Sequence, residues 1–510
     1  MIMKTLEKFF LILTLLAFCP AVVWAQSKIQ EFPDGEDFCK EVESYMGVKT
    51  SMNKELKTEV KKFTDNIEKN VISGDMRTKV TELMNLYLKK RATPSPHMLT
   101  LIKTFNAFQL QGKTDLFGTW YNYVKSLLQQ QNLAMSRVND FTLFSYNLLT
   151  YNSLSYTVGK SWYFTNPNYR FTISGDNFIV ECSNTDIRCR LREDSTLVIY
   201  STQGKYNPTT KIFYGHGGKT DWSRGGLSPD SLYAELNNYS IDMNRLEFDA
   251  DSVNFYNRKY FSKSLLGKYS DKVVTGGVGG KARYPQFTSY EKKLTIPNLA
   301  EGIDYEGGYT QNGVIFMGGA VNDSLGQLSY LHIKRDGQPF IEASSEIFVF
   351  GLRKLEGKDV KISIKLSKDD SISHKGLKLR YDTETENLRL FRGTEGLENC
   401  KFIDNYHHFD INVHQIEWHR NDSIINMSTG YAAPLEYATF VSSDYFSEKE
   451  YREMQGMDRI HPLVLLRDYM KFGPYHDQNG FRKHLDAKSL TEYLNKQEQS
   501  HITVDQTHQM

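Results

Sequence analysis

The apolar residues of this 510-residue chain change their period near residue 156 and again near residue 433, and this limits the folds open to it. In the central stretch they fall at every second position. Val360, Ile362, Ile364 and Leu366 alternate with Lys361, Ser363 and Lys365. Leu377, Leu379 and Tyr381 alternate with Lys378 and Arg380, and Leu388 and Leu390 flank Arg389. Successive side chains of a strand point to opposite faces, so each segment predicts a strand with one buried and one wet face. The 31 Tyr and 30 Phe fit a β-rich fold, in which aromatic residues are favoured.

Before residue 156 the period is helical. Leu56, Val60, Phe63, Ile67 and Val71 recur every three or four residues, as do Met76, Val80, Leu83 and Tyr87. Ser73-Gly74-Asp75 separates the two helices, and Thr93-Pro94-Ser95-Pro96 opens the next, with proline where its missing N–H costs nothing. Phe117, Tyr121, Val124 and Leu128 mark a fourth helix, and residues 135–150 a fifth. Helices of this length in succession predict a bundle or a short helical solenoid. After residue 433, Ser447 and Glu450 form a capping box, Pro462 opens a helix that Gly473 stops, and a further helix spans 481–497. His501 to Val504 then reads as the start of a strand without a partner: either the tail frays, or the chain is shorter than the unit it belongs to.

Asp-Ser pairs punctuate the β region at 194–195, 230–231, 251–252, 323–324, 370–371 and 422–423. An Asp side chain accepts backbone N–H groups in tight turns, and Ser does so more weakly. From Leu246 to Phe255 the inward set shifts from Leu246, Phe248 and Ala250 to Val253 and Phe255. One extra residue at Asp251-Ser252 therefore predicts a bulge or corner. The fold class expected is α+β and multidomain: a leader over 1–25, an α-helical domain over 26–155, a long all-β region over 156–432 and a small helical segment over 433–510. A β-solenoid with uneven rungs is favoured for the β region, and a β-sandwich is the alternative.

The first 25 residues read as an export signal. Lys4 and Lys8 precede an apolar run from Phe9 to Phe18, and Val23 and Ala25 set up a cut before Gln26. Cys19-Pro20 and the polar Gln26-Ser27-Lys28 shorten the run below the ~20 apolar residues of a spanning helix. Leu16-Ala17-Phe18-Cys19 loosely matches a lipobox, with Phe18 too bulky for its position. No later segment is apolar and long enough to span a bilayer, so no transmembrane span is expected after signal removal.

The chain carries 62 Lys and Arg against 61 Asp and Glu, and removing Lys4, Glu7 and Lys8 makes the balance even. A nucleic-acid binder would show a basic excess, so no nucleic-acid partner is expected. Cys182 and Cys189 flank Ser183-Asn184-Thr185-Asp186 between strand-like runs, and in an oxidising compartment they would bridge a hairpin by a disulfide. Two unlinked thiols are the alternative.

Few residues suggest chemistry. Gly218-Lys219-Thr220 and the run Thr275 to Ala282 imitate parts of a phosphate-binding loop. Each lacks a required glycine and lies in β surroundings, so both read as turns and no cofactor is expected. His408, Asp410 and His414 would share one strand face, a metal-ligand pattern. Next-but-one positions lie about 7 Å apart, so that face would have to bend to converge on one ion. Asp249 with Asp251, and Asp221 beside Trp222 and Arg224, are the candidate catalytic carboxylates of a polysaccharide-cleaving solenoid. Turn formation is their plainer role. Lys361, Lys365, Lys378, Arg380 and Arg389 would form a basic stripe for an acidic glycan or lipid headgroup if their strands stack in register. Lysines on a wet sheet face also keep it soluble.

The leader ending Ala25-Gln26, with Ala250-Asp251-Ser252-Val253, Leu266-Gly267-Lys268-Tyr269, Tyr284-Pro285-Gln286-Phe287 and Tyr305-Glu306-Gly307-Gly308, resembles large uncharacterised exported proteins of Bacteroidota. The resemblance implies export to the periplasm or outer surface of a Gram-negative bacterium, and carries no mechanism. The function expected is a non-enzymatic envelope or surface scaffold presenting a β surface to a glycan, lipid or protein partner. The alternative is a carbohydrate-active solenoid enzyme.

Overall fold

The structure, a computed structural model, describes residues 31–498 except 34, 70, 73, 158, 192–194, 320–326, 430–436, 444–447, 449–461 and 473–485. The leader, the corners at Asp194 and Asp323-Ser324, the Ser447/Glu450 box, Gly473 and the tail from His501 lie outside the described residues. The chain divides into two compact units: residues up to 157 with 161–182 and 205–212, and the remainder. It is an α+β protein with a large antiparallel β region in two sheets. No helix among the described residues is long and apolar enough to cross a membrane.

Among the described residues the first unit has six α-helices ahead of its strands, α1 (Phe38–Tyr45), α2 (Lys54–Glu68), α3 (Gly74–Lys89), α4 (Leu99–Leu110), α5 (Phe117–Gln129) and α6 (Met135–Tyr151). Asn53 caps α2 by accepting the Leu56 N–H at 3.1 Å, one of the donors a helix start leaves without a partner. Leu56, Val60, Phe63 and Ile67 are buried as their period demands. Val71 is not. The helix ends at Glu68, and Val71 falls in the following turn, where it is exposed. Aromatic rings join the helices edge to face: Phe63 meets Phe105 at 5.4 Å, and Phe105 meets Phe117 at 5.9 Å. Buried polar groups are matched as well, with Trp120 Nε1 donating to Ser145 Oγ at 3.0 Å.

These helices do not make a unit alone. The hairpin in which Tyr169–Ser174 pairs with the start of Asn177–Leu191 joins them, and Phe178 packs on Tyr123 and Phe141 at 5.2 and 4.9 Å. Asn177–Leu191 also corrects an expectation. It is one continuous strand through Cys182 and Cys189, with Asn184 at φ 48° instead of a hairpin tip. Cys182 and Cys189 stand seven positions apart along it, about 23 Å at the rise of an extended strand, far beyond disulfide reach. No disulfide joins them.

In the second unit, residues 265–428 follow one rule: successive hairpins alternate between two antiparallel sheets. Leu265–Lys272 and Gln286–Ser289 pair in the first sheet, then Leu294–Ala300 and Ile303–Gly307 in the second. Tyr309–Asn312 and Ile315–Gly318 return to the first, and Ser329–Arg335 and Gln338–Ser345 to the second. The alternation continues through Gln415–His419 and Asn426–Ser428. Within each sheet one hairpin pairs with the next, as in Phe287 opposite Gln311, Tyr305 opposite Leu331 and Phe316 opposite Phe350.

The inner faces are filled by rings. Phe255 stacks on Phe287 at 4.2 Å, Tyr309 on Phe316 at 4.4 Å, and Phe316 on Phe350 at 4.5 Å. The sheets meet where Tyr305 of the second contacts Phe316 and Phe350 of the first, both at 5.5 Å, and where Phe340 contacts Trp418 at 4.8 Å. Each buried ring contributes roughly 1.5–3 kcal/mol of transfer free energy. Glycines on the facing sheet or on the adjacent strand make room for them. A Cβ on Gly318 would lie 2.5 Å from the Tyr305 ring, and one on Gly267 2.6 Å from Phe287. The second unit also contains α7 (Pro462–Phe472) and α8 (Ala487–Glu498), where Tyr469, Leu490 and Leu494 form a small cluster of their own.

Candidate binding groove

Three strands of the first sheet, Glu247–Asn257, Leu265–Lys272 and Gln286–Ser289, carry the site on their outward face. Alternation turns Phe248, Ala250, Tyr269 and Phe287 inward, and Asp249, Lys268, Ser270, Gln286 and Thr288 outward. Register sets Asp249 opposite Ser270, Ser270 opposite Gln286, and Lys268 opposite Thr288. The bulge expected at Asp251-Ser252 is present. Pairing shifts between Ala250 and Val253, and Ser252 has φ 56°. The result is a groove of about 760 Å³, within the size range of small-ligand sites.

The bulge shapes one end of this groove. Asp251 Oδ1 accepts the Ser252 N–H at 2.9 Å, and Tyr290 Oη accepts the same N–H at 3.3 Å. Tyr290 is anchored by its own N–H to the Leu266 carbonyl at 3.0 Å, so its side chain crosses the middle strand to reach the bulge. The residue remains 40 % exposed. Asp249, Asp251, Lys268 and Lys292 supply charge of both signs around the hydroxyl and amide groups.

The floor is braced from beneath. Tyr269 Oη bonds Thr220 Oγ1 at 2.7 Å and donates to Asp271 Oδ2 at 3.2 Å. Asp271 in turn holds the Arg224 guanidinium, both side chains being buried. Burial pushes the Asp271 carboxyl above its usual range, against the pull of Arg224. Burial also raises the Tyr269 phenol well above its ordinary value. These groups build the sheet that presents the groove and do not line it, apart from Tyr269.

The residues expected to carry chemistry part company here. Asp249 and Asp251 both line the groove, and Asp221 does not. Asp221 Oδ1 accepts the Ser223 N–H at 2.9 Å in a turn, Trp222 is buried with Nε1 donating to the Pro285 carbonyl at 2.8 Å, and Arg224 pairs with Asp271.

The expected basic stripe is not a stripe. Lys361 and Lys365 stand on a strand of the second sheet, and Lys378, Arg380 and Arg389 on strands of the first. Four of the five pair with glutamates: Lys365 with Glu342 (2.5 Å), Lys378 with Glu398 (3.1 Å), Arg380 with Glu356 (3.3 Å) and Arg389 with Glu417 (2.9 Å). The wet face is a row of mixed charge.

The histidine segment is corrected too. His408 lies in a turn at φ 55°, Asp410 on the strand Phe409–Asn412, and His414 in the bend beyond it, so they share no strand face. Asp404 organises the turn by accepting the Tyr406 and His407 N–H groups and the His407 ring. Among the described residues no group of three or more His, Cys, Asp and Glu could hold a metal ion. Lys219-Thr220 lies in a strand, and Gly279–Lys281 is a single 3₁₀ turn, so neither loop-like run opens an α-helix.

Lys268, Ser270, Gln286, Thr288, Tyr290 and Lys292 were missed by sequence reasoning. Alternation marks several as outward, but only register across three strands brings them together with Asp249. No family model, no curated protein and no solved structure matches the chain.

Proposed function

We propose that this chain is an exported, non-enzymatic binding scaffold of the bacterial envelope or surface, and that the groove over Glu247–Ser289 holds a glycan. The observation that carries this reading is the groove's lining. Carboxylates, ammonium groups, hydroxyls and an amide surround a partly exposed tyrosine ring on a braced sheet. Sugars offer hydroxyls to such polar groups and a C–H face to an aromatic ring, and binding sites of this kind place few polar groups on a pre-formed support. The leader and the resemblance to exported Bacteroidota proteins support the compartment. The alternation of hairpins between two sheets supports a β-solenoid reading over a simple sandwich.

A glycan array followed by titration calorimetry tests the proposal. Tyr290→Ala should abolish retention of the glycans that bind the full chain, while its urea midpoint stays near that of the parent. Binding that survives Tyr290→Ala unchanged would remove the groove from consideration. A cytoplasmic location after fractionation would overturn the compartment.

One observation favours the enzymatic alternative: Asp249 and Asp251 both line the same groove. Reducing-end release from a retained glycan, lost in Asp249→Asn or Asp251→Asn, would establish it. Retention without release leaves the scaffold reading.

A further inference from the structure

Resting on the glycan reading, we propose that Asn237, which lies outside the groove, is a positioning residue for the Tyr290 ring and acts through the bulge at Ser252. Ser252 has φ 56°, a left-handed conformation uncommon for a residue with a Cβ. A strained residue of this kind persists where its surroundings over-determine it, and such residues gather at ligand clamps. Here three side chains from separate parts of the chain hold it. Asp251 Oδ1 and Tyr290 Oη both accept the Ser252 N–H, and Asn237 Nδ2 donates to the Ser252 carbonyl. Asp251 and Tyr290 line the groove, and Asn237 does not. The N–H of the strained residue thus meets the groove, while its carbonyl meets a support outside it.

That support is itself tied down. The Asn237 carbonyl accepts the Gly217 N–H at 2.8 Å, and the preceding Leu236, buried, donates its N–H to the Gly218 carbonyl at 2.9 Å. The Gly217 carbonyl accepts from Thr202 Oγ1 at 3.0 Å, and Thr202 is buried. Gly217 and Gly218 have φ 67° and 109°, values that suit glycine, so the glycine of the phosphate-loop imitation Gly218-Lys219-Thr220 serves this turn. A line of hydrogen bonds therefore runs from Thr202 in the core through Gly217, Asn237 and Ser252 to the Tyr290 hydroxyl. Without the Asn237 amide the bulge loses a bond that offsets its strain, and the Ser252 N–H no longer stands where Tyr290 Oη meets it. The ring then samples more orientations, and a sugar face must order it on binding.

Two measurements on the full chain test this. Hydrogen exchange at the Ser252 amide, read by mass spectrometry with fragmentation to single residues, needs no glycan. Asn237→Ala should speed it several-fold while exchange at Phe255 and Tyr269 stays at the parent rate. On the glycan array, Asn237→Ala should lower retention several-fold, as Tyr290→Phe does, and the double variant should lose no more than Tyr290→Phe alone. Additive losses would overturn the positioning role, because Asn237 would then act apart from Tyr290 Oη. Unchanged exchange at Ser252 would overturn it as well. Faster exchange along the whole of Glu247–Asn257 would give Asn237 a general structural role instead. A parent chain that retains no glycan would overturn the underlying reading, whatever the exchange rates.

Discussion

His374 Nε2 lies 2.8 Å from the carbonyl oxygen of Cys400, while its Nδ1 accepts the Gly376 N–H at 3.1 Å. The two bonds fix a neutral ring that donates from Nε2. A proton on Nδ1 would displace the Gly376 bond. Burial pushes the His374 pKa below its ordinary value, and the Arg392 charge adds to this, against the bond to Cys400. A histidine depressed in the folded state contributes full stability above the unfolded pKa of about 6.5 and loses it as pH falls toward the folded value. The urea midpoint of the second unit should therefore drop between pH 7.5 and 5.5. In His374→Gln the drop should be smaller, and an identical drop in both proteins would remove His374 as its cause.

The glycine slots make a sharper prediction. Gly318→Ala must displace the Tyr305 ring, and Gly267→Ala both the Thr288 carbonyl and the Phe287 ring, because a Cβ at either site has no space. Overpacking of this kind costs about 1–3 kcal/mol. Gly280→Ala meets nothing within 4 Å and should leave the melting temperature unchanged. Thermal denaturation of the three variants side by side checks the contrast.

The buried Arg224–Asp271 pair should punish single changes and forgive double ones. Asp271→Ala leaves the guanidinium without its counter-charge, at a cost of about 3–5 kcal/mol. Replacing both by apolar residues, as in Arg224→Met with Asp271→Leu, should cost much less. Chemical denaturation of the single and double variants gives the coupling directly.

Tyr290→Phe separates two roles of one side chain. It keeps the ring but removes the oxygen that accepts the Ser252 N–H. Glycan affinity should fall only a few-fold, against a loss of roughly tenfold or more for Tyr290→Ala. Equal losses would assign the tyrosine's role to the bulge and not to its ring.

Much of the fold was legible because periodicity is a one-dimensional signal. The stripe from Leu56 to Ile67, the alternation from Val360 to Ile364 and the bulge at Asp251-Ser252 follow from residue spacing alone, whereas Leu366, expected on the buried face, falls past the end of its strand and is exposed. The failures share a cause, which is that the deciding partner lies elsewhere in the chain. Lys365 looks free until Glu342 arrives on the adjacent strand, and Arg389 until Glu417 does. His408 reads as a strand residue until Asp404 folds the preceding turn. Half of the candidate groove was likewise hidden, since Asp249 gives no hint of Gln286 or Tyr290 before two register relations are known.

The alternation of hairpins between the two sheets gives the chain a parity. Deleting one hairpin would send every later one to the opposite sheet, bringing strands that were never neighbours into contact and breaking each glycine–ring match. Deleting two consecutive hairpins would return the remainder to its own side, with one new junction to accommodate. Viable shortening or lengthening of this region should therefore proceed in steps of four strands, and a natural variant differing by two would need a compensating change at a corner.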